Sequence, residues 1–285
     1  MTLRKKKKMN YKIVTEASVD MPKSFAEEND ITILPIEVNF NGELYPEGLS
    51  NDEFYKKLKT GVIPKTSQPN QYKFETAFEP YVNKEDWFVF TIVISSDLAG
   101  TISQAKNAVE NLGMKNVYVC DSRVTTFAEG APIMEFVKFL KAHKDITPQD
   151  AITELERLKS HVRLVAVIGD LKYLRQGGRL SATSYFAASV LNIKPIISLD
   201  GGKVTNCAKK IGEKANEYMV ECANKRDRNY PIYFGHSANE TIIKNFIEKY
   251  ASKLGIDPET TQIHEIGCVV GTHAGPNCYG MVYFV

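Results

Sequence analysis

Residues 87–120 hold the strongest pattern in the sequence: an apolar run, a helical repeat and a second apolar run. The first run, Trp87 to Ser95 (WFVFTIVIS), is apolar at nearly every position, which is typical of a parallel strand buried on both faces. The segment TISQAKNAVENLG then places apolar residues at helical spacing and ends at Gly113, and Val117 to Cys120 is the second run. This order predicts a β-α-β unit and an open, parallel α/β sheet.

Other segments of the first half extend this pattern. Tyr11 to Val14 predicts a further strand, and an apolar stripe that begins at Phe74 predicts a helix. Thr147 followed by Pro148 is a typical helix start. We therefore expect residues 11–160 to form an N-terminal α/β domain.

The second half follows a different pattern. The segment KPIISLDGGKVTNCA contains an Asp200-Gly201 turn between two β-prone runs, which indicates a hairpin. PIYFGH, TQIHEIGCVV and YGMVYFV predict further strands around one long helix, Thr241 to Leu254. Hairpins with segregated helices predict a C-terminal α+β domain with a mixed sheet over residues 161–285.

Composition and charge argue against several classes of protein. The 285 residues carry 36 Lys and Arg against 34 Asp and Glu, and four of the positive charges lie in Lys5 to Lys8. The remainder is about neutral, so we expect no nucleic-acid partner, which would need a broad basic surface. No stretch approaches about 18 apolar residues, the length of a membrane span, and the basic start lacks a signal-peptide core. The five cysteines are odd in number and widely spaced, which favours a cytoplasmic protein. We expect residues 1–10 to be a disordered basic start, with Met9 as an alternative initiator.

Three polar segments interrupt the apolar runs. Pro64 to Pro69 precede the Phe74 helix, Ser95 to Thr101 follow the buried strand, and Gly271 to Pro276 follow the run GCVV. Carboxyl ends of parallel strands and N-termini of helices are places where an anion can bind. The same residue types are also ordinary helix caps, and a histidine in such a segment is as often structural as functional.

Two regions of the second half need a separate interpretation. GCVVGTHAGP, from Gly267 to Pro276, is interpreted as an apolar strand that ends in a loop holding Thr272 and His273. Asp170 to Arg179 is either a glycine-broken turn with solvated arginines or a positive rim for an anion. The sequence contains no metal-ligand motif and no phosphate-binding loop, so we expect no cofactor and no ATP site of its own.

Four motifs together resemble those of a known family. TSQP, ISSxLxGT, KYLRxGGR and GTHAGP occur in this order, and the combination resembles the DegV family, whose members bind fatty acids, over residues 11–285. The resemblance implies two domains with a long acyl chain enclosed in an apolar tunnel between them. It also implies a lipid-binding subunit without catalytic activity, which presents the acyl carboxylate to a separate, ATP-using fatty acid kinase subunit in bacteria.

The family motifs also imply roles for individual residues. Thr66, His273 and either Ser96 or its neighbour Ser95 match the positions that contact the fatty acid carboxylate. The residues that match a rim or supporting layer around them are Thr272, Arg175 and Arg179.

The sequence departs from the family pattern at several positions. Glu16 and Ala17 replace the usual aspartate and serine of the first motif, and Gln176 stands where an arginine often precedes Gly-Gly. Ala99 replaces a common serine, and Asn277 replaces a usual glycine.

A serine hydrolase is the alternative function. It would use Ser95 or Ser96 as the nucleophile, His273 as the base and an acid such as Asp97. The G-x-S-x-G elbow that often carries such a serine does not occur in the sequence.

Overall fold

The described part of this computed structural model, residues 9–45, 50–180 and 193–285, contains three β-sheets with helices packed on them. In chain order the strands are β1 (Asn10–Glu16), β2 (Ile31–Leu34), β3 (Glu37–Phe40), β4 (Glu43–Leu44), β5 (Lys65–Ser67), β6 (Trp87–Val93), β7 (Val117–Asp121), β8 (Val162–Val167), β9 (Ile193–Asp200), β10 (Lys203–Ile211), β11 (Tyr233–His236), β12 (Ile263–Glu265) and β13 (Tyr279–Phe284). In the same order the helices are α1 (Lys23–Glu28), α2 (Asn51–Leu58), α3 (Gln71–Phe78), α4 (Thr101–Asn111), α5 (Phe127–Ala142), α6 (Pro148–His161), α7 (Lys172–Gln176), α8 (Lys214–Ala223), α9 (Glu240–Leu254) and α10 (Cys268–Ala274). Glu79–Tyr81 and Pro258–Thr260 form short 3₁₀ helices.

The first sheet is parallel, as the sequence predicts. Its strand order is β2-β1-β6-β7, and each neighbouring pair is parallel. Helix α4 connects β6 to β7, and Gly113 has a φ of +62° just after the helix, which suits a C-terminal stop. Helix α6 begins at Pro148 behind Thr147, whose side chain accepts a hydrogen bond from Asp150 N. The β-α-β unit and the predicted start of α6 are therefore confirmed.

The second sheet is mixed and has the order β10-β9-β8-β13-β11-β12. Its pairings are antiparallel except for β11 with β12. Strands β9 and β10 form the predicted hairpin, but Asp200 pairs with Lys203, so the turn residues are Gly201 and Gly202 rather than Asp200 and Gly201. Helix α9 matches the predicted long helix within one residue at its start. The α/β fold with a parallel and a mixed sheet is confirmed, whereas the division at residue 160 stays a prediction.

The third sheet is small and was not predicted. Strand β3 pairs antiparallel with both β4 and β5, and Thr66 of β5 lies opposite Val38 of β3. Because this pairing joins segments separated by helix α2, no local pattern in the sequence indicates it.

One predicted strand is wrong. CVVGTHA forms helix α10 with Gly267 as its N-cap residue, and only Ile263–Glu265 of the preceding run is a strand. Gly271 N donates to Gly267 O at 2.7 Å, and Gly275 N donates to Gly271 O at 2.8 Å, as helical spacing requires. A short apolar run suits a buried helix and a buried strand equally, so its periodicity could not decide between them.

Several elements were not predicted, including α5, with Pro132 inside it, and α8. Helix α5 contributes Phe136 to an apolar cluster that also contains residues of both large sheets, such as Phe90 of β6 and Phe284 of β13. Within the described ranges, no helix has the length and apolar character needed to cross a membrane.

The tip of the β9–β10 hairpin is held against loops of the parallel sheet. Ser95 Oγ donates to Gly202 O at 2.8 Å, and Asp97 pairs with Arg123 Nη2 at 3.0 Å and with Lys203 Nζ at 3.5 Å. Gly202 has a φ of +91°, and a Cβ there would lie 2.5 Å from Ser95 Oγ. The close approach therefore depends on a glycine at this position.

A pair of buried carboxyl groups lies beneath the same loops. Glu16 Oε1 accepts from Ile94 N at 2.9 Å and from Ser18 Oγ at 2.9 Å, and Glu129 Oε2 lies 3.2 Å from Ser18 Oγ. The Ser18 hydroxyl has one proton and cannot donate to both carboxyl groups, so one of the two carboxyl groups must hold a proton. Burial and the neighbouring Glu16 also raise the pKa of Glu129 well above its ordinary value.

Replacing Glu129 by Gln should make stability less dependent on pH. The unfolded chain loses this proton near the ordinary pKa of 4.5, whereas the folded protein keeps it to higher pH. Wild-type stability therefore falls as pH rises above that value, by up to about 1.4 kcal/mol per pH unit, until the folded carboxyl titrates. Gln keeps a donor to Ser18 and does not titrate.

Urea unfolding between about pH 5 and about pH 9 measures the effect, because the slope reports the proton difference. E129Q should lose less stability with rising pH than wild type, and the exposed Glu28→Gln control should follow wild type. If stability depends on pH as steeply in E129Q as in wild type, a group other than Glu129 holds the proton.

Gly202→Ala should destabilise the protein more than Gly201→Ala. Both glycines have positive φ, but a Cβ at Gly201 would meet its nearest atom only at 3.9 Å, whereas one at Gly202 collides with Ser95 and Arg123. We expect an extra loss of about 1 to 3 kcal/mol in the free energy of unfolding for G202A, measured in urea. Equal losses in the two variants would show that the close approach of Gly202 to Ser95 and Arg123 does not affect the free energy of unfolding.

Candidate ligand-binding site

A cavity of about 400 Å³ lies between the mixed sheet and the loops at the carboxyl ends of β6 and β7. Its floor is formed by alternate residues of neighbouring strands, because these residues lie on the same face of the sheet. Most of the side chains that line the cavity are aliphatic, and they include Leu164, Ala166, Ile168, Ile197, Leu199, Val204, Ile94, Leu98, Val269 and Val270. The carboxyl edge of a parallel sheet is where open α/β folds bind ligands.

Two polar side chains from distant segments meet at the cavity wall. Thr66 on β5 and His273 on α10 are 207 residues apart, yet Thr66 Oγ1 lies 3.1 Å from His273 Nε2. Both residues line the cavity. The sequence motifs TSQP and GTHAGP therefore converge in space.

The environment of His273 keeps the ring neutral. Burial, together with the smaller effect of the positive charge of Arg179, lowers its pKa to about 4. Nδ1 is buried without a hydrogen-bond partner among the described residues, and a Cβ at Gly177 would lie 2.2 Å from it. Nε2 is therefore the ring atom that faces Thr66 and can exchange hydrogen bonds with a ligand.

Arg179 adds a positive charge to the cavity wall. Its Nε donates to Leu98 O at 3.1 Å, and its Nη1 donates to Gly177 O, so the side chain links the ISSxLxGT and KYLRxGGR segments. Desolvation lowers the pKa of Arg179, but a guanidinium stays charged at neutral pH. Thr66, Arg179 and His273 are called the polar cluster below.

Helix α10 is positioned by hydrogen bonds from the first half of the chain. Asp20 Oδ1 accepts from Gly267 N at 2.9 Å, Asp20 Oδ2 accepts from Thr126 Oγ1 at 2.6 Å, and Tyr55 OH donates to Ile266 O at 2.7 Å. Desolvation raises the pKa of Asp20 to about 7. These bonds fix the start of α10 and thereby the direction of His273.

Four other predicted site residues lie outside the described lining of the cavity. Ser95 is fully buried, and its hydroxyl is bonded to the hairpin tip, whereas Ser96 is exposed beside Arg123 Nη1 at 3.3 Å. Thr272 donates to Cys268 O within α10, and Arg175 is exposed on α7. The structure thus brings together Thr66, Arg179 and His273 at the cavity wall. The roles predicted for the other four residues stay predictions.

Two of the polar cavity residues that the sequence analysis did not predict have unpaired hydroxyl groups in the described part of the chain. Thr101 and Thr125 line the cavity, and their hydroxyls are buried without a partner among the described residues. Thr101 is the last residue of ISSxLxGT, so its motif was a usable signal, whereas nothing in the sequence singles out Thr125.

The geometry bears on the hydrolase alternative. In the described contacts, His273 Nε2 is bonded to Thr66, and neither Ser95 nor Ser96 approaches the ring. A nucleophilic serine needs a base within hydrogen-bond reach. The arrangement is instead suited to hold an anion that carries a long apolar tail.

Known proteins share this architecture. Residues 10–285 match the family model for uncharacterised proteins of the DegV family. Protein DegV of Bacillus subtilis is 30% identical over 286 residues, covering 96% of this chain and 99% of that protein. A fatty-acid-binding DegV family protein from Thermus thermophilus superposes with a TM-score of 0.85 at 26% identity, covering 97% of this chain and 100% of that one. A stearic acid-binding protein from Eubacterium ventriosum does so with a TM-score of 0.84 at 26% identity, covering 96% and 98%. The chain therefore belongs to the DegV family.

Proposed function

We propose that this chain binds a long-chain fatty acid in the cavity and presents its carboxylate to a separate ATP-dependent fatty acid kinase, which makes the acyl phosphate. The observation that carries the proposal is the contact between Thr66 and His273 on the wall of an otherwise largely aliphatic cavity. The fatty-acid-binding relatives in Thermus thermophilus and Eubacterium ventriosum support the same class of ligand.

The cavity suits an apolar chain. Its volume, about 400 Å³, is within the usual range for small-molecule pockets, and aliphatic side chains line most of it. Burial of a methylene contributes about 0.8 kcal/mol, so a chain of about 16 carbons contributes on the order of 10 kcal/mol before ordering costs. Affinity therefore comes mainly from the tail.

The polar cluster suits a carboxylate. A carboxylate removed from water must accept hydrogen bonds. The neutral His273 ring can donate its one N–H to Thr66 Oγ1, which leaves the Thr66 hydroxyl proton for the carboxylate. Arg179 supplies a positive charge at the same wall. Each hydrogen bond to a charged group contributes about 1.5 to 3 kcal/mol, so the cluster sets the orientation of the ligand more than its total affinity.

A separate kinase accounts for features that the chain lacks. The sequence contains neither G-x-G-x-x-G nor G-x-x-x-x-G-K-[ST], so we assign ATP binding to the partner. Together with the contacts of His273, this favours a lipid-presenting protein over an autonomous hydrolase.

Thr66→Val should separate binding from presentation. The substitution keeps the shape of the side chain and removes one donor, so we expect the affinity for palmitic acid to fall by about tenfold. We expect a larger fractional loss of acyl phosphate when a bacterial fatty acid kinase subunit and ATP are added, because the carboxylate is no longer held in one orientation.

Native mass spectrometry measures palmitic acid occupancy, and product analysis measures acyl phosphate yield. Thr153→Val is the matched control, because Thr153 is exposed on α6 and its hydroxyl bonds only within that helix, to Gln149 O. Unchanged occupancy together with unchanged yield in T66V would refute the proposed role of the polar cluster.

A further inference from the structure

Helix α4 begins at the cavity wall without a side-chain cap. Its N-cap residue is Gly100, which has no side chain to bond the first N–H groups of the helix. The helix has 11 residues, so its N-terminus carries the partial positive charge of aligned peptide dipoles. An anion at this end of α4 would be stabilised.

The first residue of α4 has an unused donor. Thr101 is fully buried and lines the cavity, and its hydroxyl has no hydrogen-bond partner among the described residues. Leaving a buried hydroxyl unpaired is unfavourable. A ligand acceptor in the cavity would satisfy it.

Thr101 lies on the side of the cavity that carries the polar cluster. A Cβ at Gly100 would lie 3.0 Å from the side-chain Oε1 of Gln68, two residues beyond Thr66. On the other flank, Leu98 O accepts the hydrogen bond from Arg179 Nε. The α4 N-terminus is therefore placed between the segments that carry Thr66 and Arg179.

We propose that Thr101 is a further head-group ligand, which donates its hydroxyl to one carboxylate oxygen while Thr66 and His273 serve the other. The inference rests on the proposed fatty acid function and extends it. Two sets of donors, one at β5 and α10 and one at the start of α4, hold the carboxylate from two sides. The ligand is accordingly a free acid. An alcohol of the same chain length should bind more weakly, because it has no carboxylate for these donors.

Thr101→Val tests the assignment with two probes, stearic acid and octadecan-1-ol. In wild type the acid binds more tightly than the alcohol, and in T101V this preference falls by about tenfold or more, because a charge-assisted bond is lost. Affinity for the alcohol changes little. Thr101→Ser keeps the hydroxyl and retains the preference for the acid.

Thr91→Val is the matched control. The Thr91 hydroxyl is also fully buried without a partner among the described residues, but Thr91 lies on β6 and is not among the described residues that line the cavity. T91V should leave the preference for the acid unchanged. Thermal unfolding without ligand establishes that each variant is folded.

The outcomes separate the two proposals. If wild type binds neither probe, the fatty acid function itself fails and the role of Thr101 fails with it. If wild type prefers the acid and T101V keeps that preference, or if T91V loses it equally, only the assignment of Thr101 is overturned. Loss of the preference in T101S overturns it as well, because the hydroxyl is still present.

Discussion

The contact between Thr66 and His273 is the interaction on which the candidate site depends. The fatty acid proposed as the ligand would place a carboxylate in an aliphatic cavity, where it needs hydrogen-bond donors, and the contact joins two polar side chains from segments 207 residues apart. The imidazole is neutral, because burial and Arg179 lower its pKa to about 4. The site can therefore donate hydrogen bonds without placing an unpaired imidazolium in an apolar environment.

The rest of the fold keeps these two segments together. Strand β5 is aligned by its pairing with β3, and the start of α10 is bonded to Asp20 and Tyr55. Gly177 allows the imidazole to pack against the backbone, where a side chain would collide with Nδ1. The hairpin tip is tied to Ser95, so the serine that the motif suggested for ligand binding stabilises the cavity wall in this structure.

The sequence predicted the helices, strands and turns whose signals lie within a short stretch of residues. The run WFVFTIVIS, the helix that ends at Gly113 and the β9–β10 hairpin each carry their own signal, and all three are confirmed. The apolar run GCVV predicts a strand although Cys268–Ala274 is a helix, because so short an apolar run fits either period. The β3–β5 pairing and the bond from Ser95 to Gly202 depend on residues far away in the chain, so no window of sequence contains them. The motifs predicted that Thr66 and His273 belong to one site. No motif contains Thr125, and only the structure shows that it lines the cavity.

The most direct test of the account is ¹³C NMR of palmitic acid labelled at its carboxyl carbon and bound to the protein. Donors and a guanidinium around the carboxylate stabilise its ionised form, so its pKa should lie below that of the same acid bound to His273→Ala. In wild type the carboxyl resonance of the bound acid should stay at the ionised position as pH falls. In the His273→Ala variant the bound acid should become protonated at higher pH. A carboxyl resonance that titrates identically in both proteins would contradict the account.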